Sequence, residues 1–203
     1  MEQIYLTPQK EATSELIEKK SKFIGSVCHV ANEQIALEYI KRIKKKYYDA
    51  NHNAYAYITE NTKRYSDDGE PSKTAGLPIL DMLDNQGITD VVCVVTRYFG
   101  GTLLGTGGLV RAYTGAAKLA LEEAGVKRMV LHSRITLTVP YSLFDNVKYI
   151  SAECNCDFLD CEYTDIIKID AVCKKEDTDN LLAKLNSTFG INIKVEISGE
   201  VFI

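Results

Sequence analysis

The stretch that organises the chain is Val91-Val92-Cys93-Val94-Val95-Thr96-Arg97-Tyr98-Phe99-Gly100-Gly101-Thr102-Leu103-Leu104-Gly105-Thr106-Gly107-Gly108-Leu109-Val110-Arg111. Its first eight residues are almost wholly apolar and β-branched, which predicts a central strand buried on both faces. Gly100–Gly108 reads as a glycine-rich loop, and Leu109–Glu123 as a helix with Val110, Ala117 and Leu121 inward, closed by Gly125. A buried strand, a flexible loop and a helix start make a hollow into which free backbone N–H groups point. Arg97 and Arg111 flank it with forked donors, and Tyr98 and Phe99 offer faces for stacking. Two readings of these residues stand side by side. In one the hollow takes an anionic ligand. In the other the glycines only allow close packing, and the arginines pair with carboxylates. The P-loop is excluded because no Gly-Lys-Ser/Thr occurs, and the dinucleotide fingerprint fails at Val110, where a third glycine belongs.

Upstream of the strand, Glu15 to Val30 is strand material interrupted by Lys19-Lys20-Ser21-Lys22. Asn32 is placed to cap a helix running to about Tyr47, with Ala36, Tyr39, Ile40 and Ile43 inward. Lys41, Arg42, Lys44, Lys45 and Lys46 crowd its end, either as a solvated face suited to the helix dipole or as a patch facing nucleic acid. His52–Thr59 reads as a strand, residues 60–73 as a polar loop, and Thr74–Leu83 as a short helix despite Pro78. Within that loop, Asp67, Asp68 and Glu70 crowd three carboxylates into four residues, an arrangement that calls for a nearby cation. It lacks the ligand spacing of an EF-hand, so pairing with Arg97 or Arg111 is the expected relief. His52 is expected to be a structural histidine.

Downstream, Ile135, Leu137 and Val139 alternate with threonines, Leu143, Val147 and Ile150 recur at helical spacing, and Cys156–Cys161 and Ile167–Ala171 read as strands. Asp177–Phe189 is helical and Ile191–Ile197 alternates again. The order β-α-β-β-α-β is the ferredoxin-like pattern. Eleven of the 13 glycines precede His132, and the charge changes from +1 over residues 1–131 to −5 over 132–203. The fold class expected is therefore α+β in two domains, 1–131 and 132–203.

With 24 basic and 28 acidic residues, the 203-residue chain has net charge −4, so phosphate binding must come from a local patch. No apolar run suits a membrane span, and no basic-then-apolar leader follows Met1. Six cysteines without a CxxC pair or a nearby histidine are expected to be reduced thiols, with Cys93 buried in its strand. No cofactor or metal site is expected, and the sequence implies no particular oligomeric state.

Two segments carry a specific resemblance. Tyr65-Ser66-Asp67-Asp68-Gly69-Glu70-Pro71-Ser72-Lys73-Thr74-Ala75-Gly76 and Thr96–Tyr113 are similar to signatures of the YigZ/IMPACT family, and Glu18–Ile24 resembles its N-terminal signature. Lys73 stands where the family usually has glycine. The resemblance implies a ribosomal protein S5 domain 2-like N-terminal domain and a C-terminal domain similar to the last domain of the translocase elongation factor. Its implied surface is Ser66, Asp67, Asp68, Glu70, Arg97, Tyr98, Gly100, Gly101, Gly105, Gly107, Gly108 and Arg111. Arg64 joins these as a third arginine, and His52 and Lys73 as accessory groups. The expected function is a cytoplasmic, non-catalytic protein that binds RNA or a ribosomal surface. A phosphate- or nucleotide-binding enzyme or sensor is its rival, and a protein–protein adaptor the third reading.

Overall fold

The computed structural model describes residues 4–203, so the start of the chain, read above for a leader, lies outside the described residues. The fold is mixed α+β, with two sheets and five α-helices among the described residues. The chain divides into compact units between Arg128 and Met129, within a strand.

The unit Tyr5–Arg128 is built on a five-stranded antiparallel sheet. After β1 (Ile4–Pro8) come β2 (Ala12–Glu18), β3 (Ser21–His29), α1 (Glu33–Lys46), β4 (His52–Thr59), β5 (Thr62–Ser66), α2 (Gly76–Asn85), β6 (Val91–Tyr98) and α3 (Thr106–Ala124). The sheet order is β2-β3-β6-β4-β5, so β6 is its centre, as its composition predicts. Alternation along the strands sends Val91, Cys93 and Val95 to the face covered by α2 and α3, and Val92 and Val94 to the face covered by α1. Asn32 caps α1, its Oδ1 accepting the Ile35 N–H at 3.0 Å.

Two expectations are corrected here. Residues 60–73 are not all loop: Thr62–Ser66 forms β5, a mostly exposed edge strand paired with β4, and edge exposure removes the apolar alternation that marks inner strands. The helix that follows the glycine segment starts at Thr106, not Leu109, so Gly107 and Gly108 lie in its first turn despite their poor helix propensity. Pro78 sits in the first turn of α2, where a missing N–H costs no intrahelical bond.

The unit Met129–Ile203 holds most of β7 (Val126–Val139), then α4 (Phe144–Glu153), β8 (Cys156–Tyr163), β9 (Ile167–Lys174), α5 (Thr178–Phe189) and β10 (Lys194–Phe202). Antiparallel pairing gives the order β8-β9-β7-β10. Ile135, Leu137, Ile167 and Ile169 meet Val147, Leu181 and Leu185 in one core. All six cysteines are free thiols, and burial pushes the Cys93 thiol up to about 12. No helix of the described residues is long and apolar enough to cross a membrane.

Candidate functional site

The glycine segment leaves β6 under close restraint. The Phe99 N–H donates to Asn51 Oδ1 at 2.7 Å, and the Gly100 N–H to Ser21 Oγ at 3.1 Å. A Cβ on Gly100 would stand 2.0 Å from the Lys20 carbonyl carbon, so only glycine lets this loop lie against the β2–β3 turn. The chain enters α3 through Gly105 at φ +71, with no side-chain cap. Leu109 N–H is taken by the Gly105 carbonyl at 2.9 Å. The free donors of the helix start are therefore those of Thr106, Gly107 and Gly108.

Arg97 is paired within the unit. Strand parity places it on the α2/α3 face with Cys93 and Val95, and its Nη1 donates to Glu70 Oε1 at 2.7 Å. The two side chains are only 7% and 3% exposed. Tyr113, fully buried, donates its hydroxyl to the same oxygen at 2.8 Å. Burial, followed by the Glu70 charge and hydrogen bond, raises the Tyr113 phenol well above its ordinary range. His52 lies opposite Arg97 on β4, its Nδ1–H donating to Asp68 O at 2.8 Å and its Nε2 standing 3.9 Å from Glu70 Oε1. The guanidinium sits between two rings, 5.4 Å from the centroid of Phe23 and 5.4 Å from that of Phe99. Ser21 Oγ is 3.5 Å from Arg97 Nη2, while Nε has no partner. Arg97 is thus one of the two flanking arginines and belongs to the packing reading.

The acidic loop is satisfied from within. Asp67 Oδ2 accepts the Lys73 N–H at 2.8 Å, and Oδ1 accepts those of Ala75 (3.0 Å) and Gly76 (2.8 Å), a remote cap for α2, whose own N-cap residue makes no side-chain bond. Asp68 pairs with Lys44 Nζ at 2.6 Å and accepts the Asn53 N–H at 2.7 Å. Ser66 Oγ accepts the Asp68 N–H at 3.2 Å. These carboxylates are tied to named donors, so the crowding is relieved as expected, with Lys44 as an unforeseen partner.

Three predicted members stand apart. Arg64 lies on edge strand β5 in register with Tyr57, on the α1 face of the sheet, opposite to Arg97. Tyr98 also takes the face opposite to Arg97, and its hydroxyl donates to Asp49 Oδ1 at 2.7 Å, a bond that pushes the phenol up to about 12. Lys73 lines a groove of about 580 Å³ beside Leu77, Met82, Val110 and Thr114. Its φ of +63 is a conformation that glycine adopts more easily than lysine.

Arg111 stays open. It is exposed and makes no hydrogen bond or ion pair among the described residues. Its side chain runs back along α3, with Nη1 3.7 Å from where a Gly107 Cβ would stand. A cavity of about 190 Å³ lies here, lined by Leu16, Glu18, Lys19, Leu104, Gly108, Arg111 and Ala112. Lys19 and Lys20 form the two-residue β2–β3 turn at φ +45 and +68. Sequence reasoning missed Ser21, Lys44, Asn51 and Tyr113 as organisers. Tyr113 carried a signal, standing four residues beyond Leu109 on the buried stripe of α3.

These features define a class: a two-unit α+β protein with an internally neutralised acidic loop beside an open basic turn. The chain belongs to the IMPACT family. The Impact N-terminal domain matches residues 19–121, and a domain of unknown function (DUF1949) matches 137–190. It is 33% identical over 178 residues to the IMPACT family member YvyE of Bacillus subtilis (strain 168), covering 86% of this chain and 82% of that one. With the IMPACT family member YigZ of Escherichia coli (strain K12) it shares 33% identity over 150 residues, 71% of this chain and 74% of that one. A solved structure described as that of a hypothetical protein superimposes with TM-score 0.65 at 28% identity, over 97% of this chain and 98% of its own.

Proposed function

We propose that the chain is a cytoplasmic, non-catalytic protein that binds RNA, free or on a ribosomal surface, and modulates translation. In this reading the first unit is a ribosomal protein S5 domain 2-like domain. The second is a ferredoxin-like domain similar to the last domain of the translocase elongation factor, a description its strand order suits. The phosphate site is the mouth of α3: Arg111, the N–H groups of Thr106 to Gly108, and the Lys19–Lys20 turn.

The observation that carries the reading is the unpaired Arg111. A cation beside a helix start is opposed by the macrodipole, and an anion there relieves both. Two lysines held at positive φ, where glycine or asparagine turns more easily, add support, because strained backbone concentrates where it positions function. The net charge of −4 confines attraction for phosphate to such a patch. The rival reading, a phosphate- or nucleotide-binding enzyme, finds less support in the acidic loop, since Asp67 and Asp68 are occupied by internal donors.

Filter binding of the full chain to RNA across a salt series tests this. Affinity should fall linearly in log–log form, and Arg111→Ala should weaken binding at all sequences, reducing the slope by about 1 without changing the melting temperature. A wild-type chain that retains no RNA at low salt, or an Arg111→Ala variant that binds like wild type, overturns it.

A further inference from the structure

We propose that Phe99 is a stacking platform for an unpaired base, so that the ligand of the basic turn is single-stranded nucleic acid rather than duplex. The inference rests on the reading of the Arg111 region as a phosphate site and deepens it.

Phe99 is 46% exposed, yet it is held firmly. Its own N–H is fixed by Asn51 and the next by Ser21. Behind its ring stands the Arg97 guanidinium, and behind that the ring of Phe23, itself packed edge-on against Tyr113 at 5.2 Å and 84°. Four groups in series, anchored in the core, thus present one aromatic ring at the surface. A ring fixed in advance loses little conformational freedom when a partner lands on it. The buried cation also draws π density toward the interior, which leaves the outer face suited to an electron-rich base.

The platform adjoins the cations. Gly100, the next residue, is pressed against the Lys20 backbone, and Lys19 lines the same cavity as Arg111. The same turn therefore brings a π-face near three cations, Lys19, Lys20 and Arg111, none of which makes an ion pair among the described residues, with Glu18 the single carboxylate in the cavity lining. These are the two kinds of partner, aromatic and cationic, that the base and phosphate of a nucleotide require. Leu103, 83% exposed in the same loop, extends the apolar border. A duplex cannot use this arrangement, because its base faces are already stacked on one another. An acidic peptide matches the charge but supplies no flat partner for the ring.

The test uses the full chain and a short single-stranded RNA carrying 2-aminopurine, whose fluorescence is quenched by stacking, beside its duplex. Wild type should quench the probe and bind the single strand at least about tenfold tighter than the duplex. Phe99→Leu should abolish quenching and weaken binding by about fivefold to a hundredfold with the salt slope unchanged, while Phe99→Trp restores both. Equal affinity for single strand and duplex overturns the inference. So does a Phe99→Leu variant that binds like wild type with its Arg111 dependence intact, an outcome that leaves the phosphate reading standing. If wild type retains neither strand nor duplex, or if polyglutamate binds with the same Phe99 dependence, both readings fall.

Discussion

Replacing Glu70 by Gln isolates what the buried ion pair does. The substitution keeps the shape and an acceptor for Tyr113 but removes the charge facing Arg97 across 2.7 Å. With the partner side chains 7% and 3% exposed, water cannot replace the lost counterion, and stranding one buried charge costs about 3–5 kcal/mol. For a unit of this size that corresponds to a fall in melting temperature of roughly 10–20 °C. The chain has no tryptophan, so far-ultraviolet circular dichroism is the natural assay. A paired control sharpens it. Arg97→Met with Glu70→Leu removes both charges and should recover most of the loss, apart from about 1 kcal/mol for the orphaned Tyr113 hydroxyl. A Glu70→Gln chain that melts within about 2 °C of wild type would refute the burial argument. Arg97 would then return to the list of ligand-gripping residues.

Other consequences can be checked in the same way. Gly100→Ala places a Cβ within 2.0 Å of backbone on Lys20, and should lower stability by about 2 kcal/mol in urea unfolding while displacing Phe99. Lys73→Gly removes a side chain from φ +63 and should raise stability by up to about 1 kcal/mol, relief of left-handed strain exceeding the added chain entropy. Because the Tyr113 phenol is raised in the folded state, the unfolded chain loses its proton first as pH climbs. Stability should be fully kept below the ordinary phenol range and decline from about pH 10 upward. Urea titrations at rising pH should show a shallower alkaline decline for Tyr113→Phe, from a lower starting value.

Much of the fold could be read from the chain because burial writes itself as periodicity. Val91–Val95 named the central strand, Ile135, Leu137 and Val139 an inward face, and Asn32 a helix start. Strand β5 was hidden because Thr62–Ser66 lies at an edge and buries no regular face. The start of α3 was hidden because propensity argues against Gly107 and Gly108 in a helix, whereas packing of Leu109, Ala112 and Tyr113 overrides it. The site was partly legible. The acidic loop did find an arginine, since three close carboxylates demand cations. Which arginine could have been read from parity, because Arg97 follows Cys93 and Val95 at steps of two. Partners distant in sequence, such as Ser21, Asn51 and Lys44, needed the sheet register to come into view.

Asp67 couples two elements that look independent. Its carboxylate, carried just past the end of β5, holds the backbone of residues 73, 75 and 76 and so closes the N-terminus of α2 from outside the helix. Peeling β5 from β4 would carry that carboxylate away and leave the first turn of α2 frayed. Amide hydrogens of the outer hairpin and of that first turn should consequently exchange with solvent together, as one cooperative opening, even though few bonds join them directly.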